Sequence, residues 1–175
     1  MIIRKAIEAD LDAVAAIYEE LHAAEEAGEA TIGWARGVYP LRATAEAALR
    51  RDDLFVLEDG GEILGAGIIN QIQVDCYAGA PWVHAAADDE VCVFHTLVIS
   101  PRAAGKGYGT AFMRFYEEYA VAHGCTELRI DTNARNERAR AIYRKLGYQE
   151  IAIVPTVFNG IEGVRLVLLE KMLGA

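Results

Sequence analysis

The chain has 175 residues, of which 53% are hydrophobic and 25% are charged, and its formal net charge at pH 7 is −9. This length and composition predict one globular domain with a buried core over residues 1–175, and they exclude disordered and fibrous proteins. Because an acidic surface repels nucleic-acid phosphates, we expect no nucleic-acid partner; the acidity suits cationic small molecules such as amines, or serves solubility alone.

The first half of the chain predicts a strand, two helices and a hairpin. Ile2 to Ala6 reads as a short strand. Asp10 can cap a helix that runs to about Ala27, and Thr44 can cap a shorter helix that ends near Arg51. The period then changes to that of strands, in two runs around Asp59-Gly60-Gly61, which is the signal of a hairpin.

The second half predicts a strand–helix–strand unit followed by another helix and a last hairpin. In chain order these are an irregular link over residues 75–90, a strand over Val91–Ile99, a helix closed by Gly124, a strand over residues 126–131, a helix from Asn136 to Gly147, and strands over 148–158 and 161–172 about Asn159-Gly160. The central unit should be parallel, because a helix returns the chain across the sheet. We therefore predict a mixed α/β fold.

The cysteines and the first residues bear on the compartment. Cys76, Cys92 and Cys125 form no Cys-x-x-Cys pair, and the four histidines are scattered, which predicts reduced thiols and no metal centre. Charged residues stand where a signal peptide would need an apolar core, and no apolar run approaches the ~20 residues of a membrane span. We expect a cytoplasmic protein with no membrane partner.

Glycine occupies alternate positions between the predicted strand and the next helix, at Gly105, Gly107 and Gly109. Backbone amides at a helix start are unpaired and, with the helix dipole, attract anions, while glycine lets a bulky phosphate approach. The alternative is a flexible turn. A P-loop is excluded because Lys106 is followed by glycine, and a dinucleotide fingerprint is excluded because the spacing is Gly-x-Gly-x-Gly.

This stretch resembles the acetyl-CoA loop of the GNAT N-acetyltransferase superfamily, Gln/Arg-x-x-Gly-x-Gly/Ala after a Leu-x-Val-x-Pro strand. Leu97, Ile99 and Pro101 are in phase with the strand pattern, and Gly107 and Gly109 take the two glycine positions. The leading Gln/Arg position is occupied by Ala104, so a side-chain contact to phosphate is missing there. Lys106 and Arg102 are the candidates to supply charge in its place.

A second motif, "NERARAIYRKLGY", is similar to the downstream signature of the same family. It places Asn136, Ala139, Tyr143 and Gly147-Tyr148 in order. Helical spacing puts Asn136 and Tyr143 on one face with Arg140 between them, a polar stripe that could line a cofactor groove. The alternative is an ordinary amphipathic helix for which Asn136 is the N-cap.

The resemblance covers most of the chain and implies its fold and its co-substrate. The implied fold is a central twisted mixed sheet of about seven strands, flanked by about four helices and splayed between the fourth and fifth strands. The implied co-substrate is acetyl-CoA, without a metal. The residues expected to bind it are Leu97, Val98, Ile99, Ala104, Gly105, Lys106, Gly107, Gly109, Thr110, Asn136, Arg140 and Tyr143.

The implied reaction is direct attack of a primary amine on the acetyl thioester. In the family Tyr143 would be the general acid that protonates the leaving thiolate, and a backbone amide near Leu97 or Val98 would hold the thioester oxygen. His95 is the candidate base, since by period two it shares a face with Val93, Leu97 and Ile99 and it titrates near neutrality. Alternatively His95 merely packs, and Asp89 or Glu90 attracts or deprotonates the amine.

The sequence does not identify the amine that accepts the acetyl group. Trp34, Tyr39, Trp82 and Glu90 are the residues expected at its pocket, and polyamines, amino acids, aminoglycosides and protein N-termini are all compatible. The acyl group could be longer than acetyl, and a homodimer is plausible. A non-catalytic acyl-CoA sensor of the same fold is the competing hypothesis; an enzyme that uses a nucleoside triphosphate is disfavoured.

Overall fold

The computed structural model describes residues 1–174. Its strands and helices follow the predicted order: β1 (Ile2–Lys5), α1 (Leu11–Glu26), α2 (Arg42–Arg50), β2 (Leu54–Asp59), β3 (Glu62–Asn70), β4 (Val91–Ile99), α3 (Tyr108–Ala122), β5 (Glu127–Asn133), α4 (Glu137–Lys145), β6 (Gln149–Phe158) and β7 (Ile161–Met172). Short 3-10 turns cover Glu8–Asp10, Asp75–Tyr77, Asp88–Glu90 and Pro101–Ala103.

The seven strands form one mixed sheet in the order β1-β2-β3-β4-β5-β7-β6. Both predicted hairpins, β2–β3 and β6–β7, are present, and β4 and β5 are the parallel pair that the crossover helix α3 connects. The predicted class, a mixed sheet of seven strands with four helices, is confirmed.

The sheet is splayed between β4 and β5, as the resemblance implied. The two strands pair from Val91–Glu127 to Phe94–Ile130 and no further, although β4 continues to Ile99 and β5 to Asn133. The backbone of β4 beyond Phe94 therefore has no strand partner on the side of β5. This gap positions the candidate site.

A β-bulge in β4 lies where the gap begins. His95 is paired with Ile68 and Val98 with Ala66, so the two residues between them on β4 oppose a single residue of β3, and Thr96 has a φ of 51°. An extra residue shifts the alternation of side chains by one position.

The bulge overturns the predicted face of His95. Phe94, Leu97 and Ile99 all pack with the core beneath α3, whereas Val93 packs on the other face of the sheet. His95 follows Phe94 and precedes the bulge, so it lies on the face of Val93, opposite Leu97 and Ile99. The prediction that it shares a face with all three was wrong, because period two does not continue through a bulge.

Helices cover both faces of the sheet, so the strands in its middle are buried on both sides. In β2, Leu54 and Val56 pack against α1 and α2, while Phe55 and Leu57 pack beneath α3. Each fully buried large apolar side chain stabilises the fold by about 1.5–3 kcal/mol. This packing holds the ends of β4 and β5 in place around the gap.

One helix start differs from its prediction. α2 begins at Arg42, two positions before Thr44. The Thr44 hydroxyl accepts a hydrogen bond from the Leu41 amide at 3.0 Å. Thr44 is therefore the third residue of the helix, bonded to the amide of the N-cap residue Leu41, and is not itself the N-cap. In α4, by contrast, Asn136 is the predicted N-cap, and its Oδ1 accepts from the Ala139 amide at 3.2 Å.

Candidate functional site

A cavity of about 860 Å³ opens where β4 and β5 part. Both halves of the molecule contribute to its walls. They include residues 29–34 and Tyr39 before α2, residues 94–99 of β4, residues 107–110 at the start of α3, residues 130–133 of β5, and Asn136, Ala139 and Tyr143 near or in α4.

The glycine loop presents unpaired amides at one end of this cavity. Gly105 and Gly107 have φ values of 81° and 82°, and a Cβ on either would meet nothing within 4 Å. The amides of residues 105–110 donate no hydrogen bond within residues 1–174, whereas Ala111 already donates to the Gly107 carbonyl at 3.0 Å. Unpaired donors at the positive end of α3 form an anion cradle. The loop therefore fits a phosphate or diphosphate group.

The side chains around the loop add little charge. Ala104 lines the cavity and its amide donates to the Pro101 carbonyl at 3.2 Å. Arg102, a candidate to compensate for this alanine, is ion-paired with Glu20 at 2.8 Å. Lys106 is exposed beside the cavity and forms no ion pair within the described residues. The cradle is thus mainly backbone.

Tyr143 faces the cavity from α4 and is only 9% exposed. Burial, with a smaller contribution from the charge of Asp131, raises the pKa of its phenol well above its ordinary value. Its hydroxyl has no hydrogen-bond partner within residues 1–174. The group is protonated at neutral pH and free to donate.

Of the two other polar residues of the α4 motif, one lines the cavity and the other does not. Asn136 lines the cavity, and besides capping α4 its Nδ2 donates to the Thr132 hydroxyl at 3.2 Å. Arg140 does not line the cavity, because its guanidinium pairs with both carboxylate oxygens of Glu150 at 2.9 and 2.8 Å. The predicted place of Arg140 in the groove was wrong. Helical spacing aligns its Cα, but the long side chain turns toward β6.

His95 lines the cavity, and its Nε2 lies 3.0 Å from Asn70 Oδ1. Since the amide oxygen is an acceptor, Nε2 carries the proton. Burial lowers the pKa of His95 to about 4. The imidazole is therefore neutral near pH 7 and has a weak tendency to take up a second proton.

Asp131 is a site residue that the sequence patterns did not single out. It lies near the end of β5, beyond the last residue paired with β4, and lines the cavity. The Tyr77 hydroxyl donates to its Oδ2 at 2.8 Å, and burial raises the pKa of the carboxyl to about 6. A carboxylate at the carboxyl end of a parallel strand is the signal that could have identified it.

Three aromatic rings form a second wall. Tyr39 lies edge-on to Trp34 at 5.9 Å and to Phe158 at 5.5 Å between ring centroids, and all three line the cavity. The Tyr39 hydroxyl is hydrogen-bonded to the hydroxyl of Thr96 at the bulge. Trp34 and Tyr39, which the sequence analysis expects at the acceptor pocket, both line this cavity, and Phe158 joins them from the distant β6.

Trp82 and Glu90 lie outside the cavity, so their predicted place in the acceptor pocket was wrong. The Trp82 indole N–H donates to the Tyr77 carbonyl at 3.0 Å, and its ring packs against the Arg129 guanidinium at 4.1 Å. Glu90 comes just before β4, whose other end borders the gap, and it accepts from the Ala87 amide at 2.9 Å. Asp89 shares this remote position. Proximity in sequence to β4 did not distinguish between its two ends.

Among residues 1–174, no helix combines the length and the apolar character needed to cross a bilayer. Among the same residues, no group of three or more His, Cys, Asp or Glu side chains is arranged to hold a metal ion.

Comparison with known sequences gives a family match over most of the chain. The model of the acetyltransferase (GNAT) family matches residues 14–148. An uncharacterised N-acetyltransferase of Methanocaldococcus jannaschii is 28% identical over 103 residues, which is 59% of this chain and 42% of that relative. This chain thus spans less than half the length of that relative.

Solved structures share the whole fold. A GNAT-family acetyltransferase from Streptococcus agalactiae is 25% identical, with a TM-score of 0.82 over 99% of this chain and 96% of that chain. A protein from Salmonella typhimurium, solved with its cofactor acetyl-CoA, is 19% identical, with a TM-score of 0.72 over 100% of this chain and 95% of that chain.

Proposed function

This chain belongs to the acetyltransferase (GNAT) family, and on that premise we propose that it transfers the acetyl group of acetyl-CoA to a primary amine. The proposal rests on one observation: two features lie at the same cavity. Unpaired amides of residues 105–110 lie at the start of α3, and the free edge of β4 lies in the adjoining gap.

The chain would hold the coenzyme mainly through its backbone. Acetyl-CoA supplies an activated acetyl thioester and a thiolate leaving group. The amides of Gly105 to Thr110 would bind the diphosphate, with Lys106 beside them, and the edge of Leu97 to Ile99 would pair with the amides of the pantetheine arm as an added strand does. Asn136 would contact the same arm. The acetyl-CoA bound to the Salmonella protein of this fold supports the assignment.

We assign Tyr143 as the general acid. When the amine nitrogen bonds to the thioester carbon and the carbon–sulfur bond breaks, the phenol of Tyr143 gives its proton to the sulfur. A phenol with a raised pKa stays protonated until that moment, and its unpartnered hydroxyl faces the cavity.

We assign Asp131, rather than His95, as the base that takes the proton of the attacking amine. A base works best when its pKa lies near the working pH. Asp131, with a pKa of about 6, meets this condition better than His95, with a pKa of about 4. His95, which the sequence patterns favoured, then has the role of lining the pocket in its neutral form.

The bulge in β4 would supply the donor for the thioester oxygen. Thr96 and Leu97 are the residues displaced from the register with β3, next to the free edge. An amide aimed at an oxygen that gains negative charge stabilises the transition state by about 3 kcal/mol. This supports the expected donor near Leu97 or Val98.

Two measurements on the full chain test the proposal. Calorimetry should detect binding of acetyl-CoA, and thiol release should follow when a primary amine is added. Tight binding with no thiol release from any of a broad set of amines would instead favour a non-catalytic acyl-CoA sensor. Absence of acetyl-CoA binding would refute both functions.

A further inference from the structure

We propose that the acceptor is a monoamine on an aromatic body that carries no acidic group. The inference rests on the proposed function and names its substrate class. It is carried by one half-buried carboxylate, Asp131, in a cavity whose wall includes the rings of Trp34, Tyr39 and Phe158.

The cationic end of the acceptor has one place to bind. Asp131 Oδ2 accepts from the Tyr77 hydroxyl, whereas Oδ1 forms no hydrogen bond and the carboxylate forms no ion pair within the described residues. An ammonium group that enters the cavity can occupy Oδ1. The carboxylate lines the same cavity as the aromatic wall and as Tyr143, the proposed acid.

The aromatic wall suits a flat apolar body. Tyr39 stands edge-on between Trp34 and Phe158, and the side chains of Val164 and Leu166 extend the apolar lining. A ring inserted there would make edge-to-face contacts, each worth about 0.5–1.5 kcal/mol beyond the area it buries. Faces of the same rings attract the adjacent ammonium.

An acidic group on the acceptor would have no partner in this part of the cavity. The cationic side chains of the lining are those of Arg51 and Arg138. Arg51 is engaged by both oxygens of Asp53, at 2.8 and 3.1 Å. Arg138 lies in the first turn of α4, two residues beyond Asn136, on the side proposed for the coenzyme. The α-carboxylate of an amino acid would therefore be placed beside Asp131 without compensation, which selects against it.

The lining also lacks what a polycation needs. Its carboxylates are Asp131 and Glu29, and Glu29 is exposed just after α1. Polyamines and aminoglycosides carry several ammonium groups, each of which loses hydration on entering the cavity and needs its own anionic partner. One half-buried carboxylate in a cavity with an aromatic wall matches one ammonium on one ring system.

Calorimetry on the full chain saturated with coenzyme A tests this inference without requiring turnover. The probes are phenethylamine, phenylalanine, which differs from it by the added carboxylate, and spermidine. We expect phenethylamine to bind at least tenfold more tightly than either of the others. Equal or tighter binding of phenylalanine or spermidine, or no binding of phenethylamine, would overturn the inference.

A charge-neutral variant locates the binding site. Asp131→Asn should weaken phenethylamine binding at least tenfold, and Glu62→Gln, an exposed carboxylate outside the cavity, should leave it unchanged. Equal binding by Asp131→Asn and the wild type would refute the role of Asp131. Product analysis separates the two proposals: phenethylamine that binds but is never acetylated contradicts the transferase function, whereas acetylation of phenylalanine in preference contradicts the acceptor class alone.

Discussion

At the scale of residues, one physical effect prepares both proposed proton-transfer groups. Burial disfavours the charged form of an acid, so it raises the pKa of the Asp131 carboxyl to about 6 and the pKa of the Tyr143 phenol above its ordinary value. For the carboxyl this brings the pKa toward neutrality, which suits a base. For the phenol it secures the proton that an acid must keep until the thiolate leaves.

Replacing Tyr143 by phenylalanine should lower turnover by about 100-fold or more, the contribution typical of a general acid. Acetyl-CoA binding should change much less, because the ring remains and only the hydroxyl is lost. Thiol-release kinetics and calorimetry measure the two effects. Tyr119→Phe, on α3 away from the cavity lining, is the matched control. Unchanged turnover in the Tyr143 variant would remove this residue from the mechanism.

The rate should depend on pH through Asp131. A carboxyl must be ionised to accept a proton, so we expect kcat/KM to rise as the pH increases through about 6, with the wild type measured from about pH 5 to about pH 8. Asp131→Asn should lower the rate and abolish this rise. A rise through pH 6 that persists in the variant would assign the titration to another group.

At the scale of elements, the site depends on two local departures from regular structure. A bulge in β4 turns Leu97 and Ile99 toward the core beneath α3 and puts His95 on the opposite face. Gly107, with a φ of 82°, lets the chain enter α3 with its first amides unpaired. Together they bring a free strand edge and a helix start to one cavity.

Gly107→Ala should weaken acetyl-CoA binding by tenfold or more, since a methyl group would stand where the diphosphate approaches. The positive φ itself should cost about 1–2 kcal/mol of folding stability. Gly124→Ala is the matched control: it ends the same helix with a φ of 76° and equally open surroundings. Both variants should lose stability by similar amounts, as thermal unfolding measures. Equal loss of acetyl-CoA binding in both would attribute the effect to strain and refute the cradle.

Element boundaries were predictable where turn chemistry is local. The observed bounds of β4 and β7 coincide with their predictions because the glycine, proline and Asn159-Gly160 signals stand beside them. The predicted cap of α2, Thr44, lies three residues after the observed N-cap, Leu41. A threonine at the third helical position can accept from the N-cap amide, whereas a threonine at the N-cap accepts from an amide inside the helix, so the sequence pattern fits either position.

At the scale of the whole molecule, a buried charged cluster fastens the long link between β3 and β4. Arg129 donates to the Gln73 side chain at 2.6 Å and packs against Trp82, while Glu170 accepts from the Val83 amide at 2.9 Å. Glu127 lies beside them, 1% exposed, with both carboxylate oxygens lacking a hydrogen-bond partner. Trp82 packs in this cluster and does not line the cavity.

Glu127→Gln should stabilise the protein more at pH 8 than at pH 4. Burial, and then Glu170, raise the pKa of Glu127 above its usual range. A carboxyl with a raised pKa holds more protons in the folded than in the unfolded chain, so its contribution to stability falls as the pH rises from about 4.5 through the raised pKa. Thermal unfolding at both pH values measures the difference. For Glu162→Gln, at an exposed position, the effect on thermal stability should not differ between the two pH values. A gain in stability for Glu127→Gln that does not depend on pH would contradict the raised pKa.

The assembly of the molecule and its whole range of partners stay predictions. The free edge of β6, where Ile153 and Val157 are exposed, is compatible with the expected homodimer but does not identify a partner.

Local signals in the sequence predicted the order of the strands and helices, the glycine loop before α3, the α4 motif with Asn136 and Tyr143, and the family, which the match of the acetyltransferase (GNAT) model confirms. These features depend on residues close together in the chain, whose turn, capping and periodicity signals act locally. Contacts between segments that are distant in sequence place the other site residues. His95 lies on the face opposite Leu97 and Ile99, Arg140 pairs with Glu150, and Trp82 and Glu90 do not line the cavity. Asp131 accepts from the Tyr77 hydroxyl and lines the same cavity as Tyr39 and Phe158. Long side chains pair with residues that are distant in sequence, and burial raises the pKa of a carboxyl only after distant segments have packed around it.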